Sequence, residues 1–343
     1  MVVNKMIKYV RENSWREDPS EFLKSIGFKG PARYYVRQRM MATMMKMAKE
    51  DERICFIGAD MNPKGYISQG IPEARVINVG IAEANATVVA SGFAKEGFTP
   101  IWMSMSWLFG RAYNQIFQSI GIDNHNVKFI GYARGWAGGG ASHHEINDIG
   151  FMRGIPQILC MAPADAVELE KTIIAGLKYK GATFIRVHSQ PVTNLFEEDY
   201  PFKIGKAITV REGDDVSIIS FGIQLWRSLT ASDMLAEEGI SARVINMSTL
   251  KPLDDAMIAK AAKETGAVVT AEDHTLLTGV GESIARVVVK SYPVPMELVG
   301  IRDLYSQSIP EKGDQWPVLE KAYHLTAKDI VAAAKKAVQR KKR

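Results

Sequence analysis

Val76-Ile77-Asn78-Val79-Gly80-Ile81-Ala82-Glu83-Ala84-Asn85 reads as an apolar strand that stops at a glycine turn and opens straight into a helix. A junction of this kind places its residues at the carboxyl edge of a sheet, where open α/β folds bind ligands. Glu83 falls in the first helical turn. Alone, it reads as an acid that complements the helix dipole. Upstream, a helix over 33–49 and a strand over 53–58 lead to Gly58-Ala59-Asp60. Downstream, strands over 98–104, 127–132, 156–161 and 182–187 alternate with helices over 110–120, 145–153 and 164–178. Alternation at this spacing predicts a parallel sheet with helices on its faces.

Around 190–203 the composition turns polar and proline-punctuated, with Pro191, Asn194, Glu197, Glu198, Asp199 and Pro201. Beyond it a second β/α set is expected: strands 207–211, 216–220, 242–247, 267–272 and 296–300, with helices 223–238, 255–265 and 279–290. Gly213-Asp214-Asp215 reads as a hairpin turn between the first two strands. The expected organisation is an N-terminal extension over 1–32, a first α/β domain over 33–190, a linker over 191–204 and a second α/β domain over 205–343 ending in a basic tail. The extension reads as an arm that packs on a partner.

At 343 residues and 46% hydrophobic, the chain can bury two ordinary cores. Cys55 and Cys160 lie in apolar runs without CxxC or Cys/His spacing, which favours a reduced, cytoplasmic protein over a disulfide framework or a zinc site. The first 18 residues have no apolar core of a signal peptide, and no run approaches the ~20 apolar residues of a membrane span. The net charge of +5 is a property of the tail. Lys335, Lys336, Arg340, Lys341, Lys342 and Arg343 supply six positive charges, leaving −1 for the rest. The composition therefore argues against a nucleic-acid face, and the tail reads as a solvated helix end.

Gly135-Trp136-Ala137-Gly138-Gly139-Gly140-Ala141-Ser142-His143-His144-Glu145 is a glycine loop running into a helix, yet neither a Walker loop nor a GxGxxG fingerprint. His143, His144 and Asp148 match no zinc spacing. A histidine on a loop at a sheet's carboxyl edge suits hydrogen bonding or proton transfer instead. Asp165 reads as an N-cap, and Glu272 and His274 as residues of a domain interface.

Taken in order, these pieces resemble the carboxyl-terminal half of transketolase, as found in split, two-subunit transketolases. The segments that carry the resemblance are Gly58-Ala59-Asp60, Asn78 to Asn85, Gly110-Arg111-Ala112-Tyr113-Asn114-Gln115 and Gly140-Ala141-Ser142-His143. They continue with Arg153-Gly154-Ile155-Pro156, Ala162-Pro163-Ala164-Asp165, Lys251-Pro252-Leu253-Asp254 and Ala271-Glu272-Asp273-His274. The resemblance spans about 35–338 and implies a thiamine diphosphate pyrimidine-binding domain followed by a transketolase C-terminal domain. It implies that Glu83, beside Ala82, hydrogen-bonds N1′ of the cofactor's aminopyrimidine and so promotes loss of the thiazolium C2 proton. Trp107 or Phe109 is then expected to stack on the pyrimidine, with Met105 packing against it. His143 is expected to bind substrate or move protons, and Arg186, with His188 beyond it, to hold an anionic substrate group.

The family's diphosphate site carries Gly-Asp-Gly and a downstream Asn around a divalent metal, and this sequence has no Gly-Asp-Gly. The resemblance therefore implies a partner: an amino-terminal subunit that holds Mg2+ and the diphosphate, in an α2β2 assembly with the active site at the interface. The sequence departs from the family where an acidic Glu-Asp pair is usual before the Ser/Thr-His pair; Gly138 and Gly139 stand there, and Tyr132-Ala133-Arg134 replaces an upstream histidine. Losing groups that recognise hydroxyls weakens sugar selectivity. The expected activity is transfer of a two-carbon ketol unit between sugar or sugar-phosphate substrates. The alternatives are a decarboxylating relative, of the deoxyxylulose-phosphate-synthase or 2-oxoacid dehydrogenase β-subunit type, and a non-catalytic assembly partner.

Overall fold

The structure, a computed structural model, describes residues 8–29, 35–60, 64–133, 141–305 and 316–341; the glycine loop over 135–140 lies outside them. A short 3-10 turn (Ser14–Arg16) and helix α1 (Pro19–Ser25), capped by the Asp18 carboxylate, come first. The first β/α set then runs α2 (Tyr35–Glu50), β1 (Ile54–Gly58), α3 (Lys64–Ile67), β2 (Val76–Asn78), α4 (Glu83–Lys95) and β3 (Thr99–Met105). It continues through a 3-10 helix (Ser106–Ala112), α5 (Tyr113–Gln115), a π turn (Ile116–Gly121), β4 (Lys128–Ala133), α6 (Asp148–Gly154), β5 (Leu159–Met161), α7 (Ala166–Lys178) and β6 (Thr183–His188). The second set comprises β7 (Ile208–Arg211), β8 (Val216–Ser220), α8 (Gln224–Glu237), β9 (Ala242–Asn246), β10 (Thr249–Lys251), α9 (Asp255–Thr265), β11 (Val268–Thr275), α10 (Val280–Ser291) and β12 (Met296–Ile301). Two helices close it, α11 (Trp316–Ala322) and α12 (Ala327–Lys341).

Among the described residues these strands form two parallel-dominant sheets, ordered β10-β5-β6-β4-β3-β1-β2 and β12-β11-β8-β9-β7. Each carries one antiparallel edge strand, β10 on β5 and β7 on β9. Strands buried on both faces explain the near-continuous apolar runs, such as the fully buried Val216–Ser220. In the first sheet, Met40 and Met44 of α2 and Leu169 and Ile173 of α7 pack against one face. Ala86 and Ala90 of α4, Ile116 and Ile120, and Ile149 and Met152 of α6 pack against the other. The chain leaves β1 toward β2 and returns to β3 on the opposite side of β1. That reversal opens a crevice at the carboxyl ends of β1 and β3, the switch point where such folds take their ligands.

Several expectations are corrected. Strands β7 and β8 do not pair; β9 lies between them, so Gly213-Asp214-Asp215 turns the chain without making a hairpin. The helix expected over 110–120 is 3-10, then α, then π; burying Ala112, Ile116 and Ile120 at four-residue spacing fits an α and a π turn alike, so the pattern could not choose between those two. Lys251 belongs to a strand of the first sheet although it lies within the second set in sequence. The connection over 191–204 is a packed strap, with Val192, Leu195, Phe196 and Tyr200 buried. The described part of the extension lies on the chain itself: Val10 bridges Phe196, Trp15 donates to Asp233 at 2.8 Å, and the Arg211 guanidinium covers the Trp15 ring. Most of the basic tail is helix α12, whose Lys335 and Lys336 pair with Glu238 and Glu297, Arg340 also meeting Glu297.

Two buried acids bind the strap to both sheets. Asp165 caps α7 by accepting from the Glu168 N–H at 2.7 Å, and its second oxygen accepts from the Leu195 and Phe196 N–H groups. Glu168 accepts from the Ala164 N–H at 2.8 Å, the Tyr200 hydroxyl at 3.0 Å and the Asn246 amide at 2.8 Å. Burial pushes the Glu168 carboxyl up to about 7. The folded chain thus holds this proton at a pH where the unfolded chain has released it, so its contribution is present at low pH and lost as pH rises through that value. Glu168→Gln has no proton to lose. Its stability relative to the parent is expected to rise by on the order of 2 kcal/mol between pH 5 and pH 8. Urea denaturation across that range reads the difference, and a flat difference would refute the assignment.

Candidate active site

Asn78, the last residue of β2, sets the local geometry. Its side-chain oxygen accepts from the Asp60 N–H at 3.0 Å and the Gly80 N–H at 3.1 Å, tying the ends of β1 and β2 together. Gly80 turns there at φ 72°, a left-handed conformation that disfavours a side chain. Asp60 holds φ 62° without being glycine, and non-glycine residues in that region gather at functional sites. The turn delivers Glu83 as the first residue of α4, after the half-buried Ala82. The Glu83 side chain is only 4% exposed, and the Arg111 Nε lies 3.6 Å from its Oε2. Arg111 is itself 56% exposed.

The 3-10 helix that carries Arg111 also carries Trp107, next to Met105 at the end of β3; both are half-buried. The Trp107 ring stands edge-on to the His143 imidazole at 5.4 Å, and its buried Nε1 has no hydrogen-bond acceptor among the described residues. His143 closes a short 3-10 turn (Ala141–His143), with its Nδ1 3.0 Å from the Ser142 hydroxyl. Glu83, Met105, Trp107 and His143 thus follow the carboxyl ends of β2, β3 and β4, with β1 lying between β2 and β3. The set combines a buried carboxylate with a flat, half-buried apolar wall. It suits the face and ring nitrogen of an aminopyrimidine. Among the described residues no group of three or more acid, histidine or cysteine side chains could hold a metal ion.

Three expected residues are buried and engaged inside the chain. Phe109 is fully buried among Trp102, Phe129 and Phe184, with ring centroids 4.8–6.1 Å away. The His188 Nε2 lies 2.7 Å from the Ala164 carbonyl oxygen, and burial lowers the ring to about 4, so it is neutral at pH 7. Arg186 is 3% exposed and already engaged: Nε donates to Asp148 at 2.8 Å, Nη1 to both oxygens of Asp273 at 2.9 and 2.8 Å, and Nη2 to the Glu145 carbonyl at 2.9 Å. Burial opposes its charge, but the two carboxylates outweigh that and raise its pKa.

A cation better placed for a ligand is Arg37, in the first turn of α2, which the sequence reading missed. Its guanidinium sits 5.5 Å over the Tyr132 ring near the end of β4, and it lines a cavity of about 450 Å³ with Gln38, Met41, Ala42 and Gln69. Among the described residues it pairs with no carboxylate. Nothing in the local sequence separates it from the neighbouring Arg33 and Arg39. Beside Glu83 the surface is apolar, with Ile81, Val88, Tyr113 and Phe117 exposed.

These features define an open α/β ligand-binding domain with its site at the strand switch point, followed by a second α/β domain. Residues 34–193 match the transketolase pyrimidine binding domain and residues 205–330 the transketolase C-terminal domain. The 6-deoxy-6-sulfo-D-fructose transketolase subunit SqwH of Clostridium sp. (strain MSTE9) is 33% identical over 90% of this chain and 96% of its own length. A subunit of the apulose-4-phosphate transketolase of Phocaeicola vulgatus is 31% identical over 78% of this chain and 87% of its own. The chain spans about half of the 1-deoxy-D-xylulose-5-phosphate synthase of Heliobacterium modesticaldum, at 33% identity over 89% of this chain and 47% of that protein. Among solved structures, a split gene transketolase described as an inactive beta4 tetramer aligns at TM-score 0.81, 33% identity, over 89% of this chain and 98% of that one. The chain belongs to the transketolase family, as its pyrimidine-binding and C-terminal section.

Arg186 supplies the test of this site's layout. Removing one partner of a buried ionic network leaves charge uncompensated, so Arg186→Met is expected to destabilise the chain by about 3–5 kcal/mol. Chemical denaturation reads this. Unchanged stability with weakened substrate binding would return Arg186 to the role of substrate contact.

Proposed function

We propose that this chain is the pyrimidine-binding subunit of a two-chain, thiamine diphosphate-dependent transketolase that moves a two-carbon ketol unit between sugar or sugar-phosphate substrates. One observation carries the reading: a buried Glu83 at the sheet's switch point, beside a half-buried tryptophan, in a chain that matches subunits of split transketolases along nearly their whole length. Thiamine diphosphate, when bound, supplies the carbanion chemistry that breaks and makes the carbon–carbon bonds. Glu83 would hold the proton at the aminopyrimidine N1′ from its buried position, and Trp107 with Met105 would pack on the ring and exclude water. Glu83 offers a carboxylate for that proton, whereas a carboxamide cannot exchange one. His143 would meet the substrate, and Arg37 would meet its anionic group.

The complementary subunit would hold the diphosphate and Mg2+, in an α2β2 heterotetramer. The apolar surface of Ile81, Val88, Tyr113 and Phe117 beside Glu83 supports that face as its docking site, since contiguous exposed apolar side chains mark interfaces. Among the described residues no helix is long and apolar enough to cross a membrane. Cys55 and Cys160 are unpaired thiols that burial pushes up to about 12, which supports a reducing cytoplasm.

Glu83→Gln is expected to assemble normally with the partner and to lose turnover by at least ~100-fold. Steady-state assay of the reconstituted pair with a ketose phosphate donor and an aldose acceptor tests this, and normal activity in the variant would sink the reading. Similarity to 1-deoxy-D-xylulose-5-phosphate synthases supports one rival, a decarboxylating enzyme. Carbon dioxide release from pyruvate by the same pair would favour it.

A further inference from the structure

The motif Ala271-Glu272-Asp273-His274 ends β11 in the second domain, where Glu272 caps α10, yet the side chains of Asp273 and His274 act on the first domain. The loop leading from His143 into α6 is anchored there at successive points. The Ile146 carbonyl accepts from the Thr275 N–H at 2.7 Å. The Glu145 carbonyl and the Asp148 carboxylate both meet Arg186, whose remaining nitrogen is clamped by Asp273. The Gly150 N–H donates to His274 Nε2 at 3.2 Å, while His274 Nδ1 lies 2.8 Å from the Thr275 carbonyl. Burial lowers the His274 pKa, which keeps its ring neutral and its Nε2 free to accept. Gly150 sits so close to Thr278 that a Cβ on it would come within 2.1 Å of the Thr278 hydroxyl. The 3-10 turn of His143 is continued by a long His144 N–H to Ala141 carbonyl contact of 3.4 Å.

We propose that Asp273 and His274 are positioning residues for His143: the second domain fixes the loop over 141–148 and so sets where the His143 imidazole stands against Trp107. The inference rests on the reading of His143 as the substrate-facing histidine. It gives the second domain a task in the reaction although its motif touches no reacting group. Asp273 works through Arg186 on the Glu145 carbonyl and Asp148. His274 works through Gly150 on the first turn of α6. Displacing either anchor lets α6 and the turn before it move together, because both are held from the same side.

The test uses the full chain without partner or cofactor, labelled with 13C at its six histidines. His143→Asn assigns the His143 resonance, and Trp107→Leu measures how far the tryptophan ring current displaces it. In His274→Leu and Asp273→Asn the His143 signal is expected to move at least half of the way toward its Trp107→Leu position. His125 and His324, remote from the loop, are expected to stay in place and report that the fold is kept. His274→Leu leaves the Arg186 pairs intact, so it carries the test if Asp273→Asn does not fold. A His143 signal unmoved in His274→Leu, or unmoved by Trp107→Leu, overturns the positioning. In the reconstituted pair the folded variants are expected to raise the donor KM at least tenfold with a smaller change in kcat. Failure to find ketol transfer in the parent pair while His143 moves as expected would overturn the functional reading and leave the positioning intact.

Discussion

One buried guanidinium holds the chain together. Arg186 projects from a central strand of the first sheet and meets Asp148 at the start of α6 and Asp273 at the end of β11. Its charge is removed from water, and that costs far more than a surface pair returns unless every donor is matched. Here the match draws on a sheet, a helix and the second domain at once. The two α/β units are therefore joined by a network that opens only by exposing three charges together. The acids Asp165 and Glu168 do the same for the strap, though they accept mainly from N–H and hydroxyl donors.

The same network takes Arg186 out of the site at the sheet edge. Cations deep in the first domain are spent on the chain's own carboxylates and carbonyls. What faces outward is an acid, an apolar wall and a loop histidine, with Arg111 beside the acid. Glu83 is buried, yet the arginine 3.6 Å from it is more than half exposed. A carboxylate held that way, bordered by exposed Ile81, Val88, Tyr113 and Phe117, lies where a second surface can cover it. Closing such a site excludes water and strengthens every polar contact inside it.

Much of this was legible in the chain's order of residues. Near-continuous apolar runs, alternating with helices, specified the β/α succession. The Asp165 cap and the interface place of His274 followed from residue type and position, whereas Glu272 caps α10 within the second domain. Other readings failed for physical reasons. Arg186 and His188 were expected to face substrate because they end a strand at the ligand edge. Burial and the carboxylates of Asp148 and Asp273 decided otherwise, and those partners lie 38 and 87 residues away. Phe109 was a candidate for stacking because it is aromatic near Trp107, but the 3-10 turn directs it into the core with Trp102 and Phe129. The amphipathic spacing of Ile330, Val331, Ala334 and Ala337 in α12 was present, and the run of lysines and arginines masked it.

Local chemistry, then, determined the strands, the helices, the turn at Gly80 and the presence of Glu83 at a helix start. These depend on neighbours within a few residues, where propensity and periodicity act. Only the tertiary structure decided which cations are consumed inside, which arginine lines a cavity, and that the second domain grips the loop of His143. Those outcomes turn on burial and on pairing across tens of residues. The energy of a charge is set by what surrounds it, and no stretch of sequence contains its own surroundings.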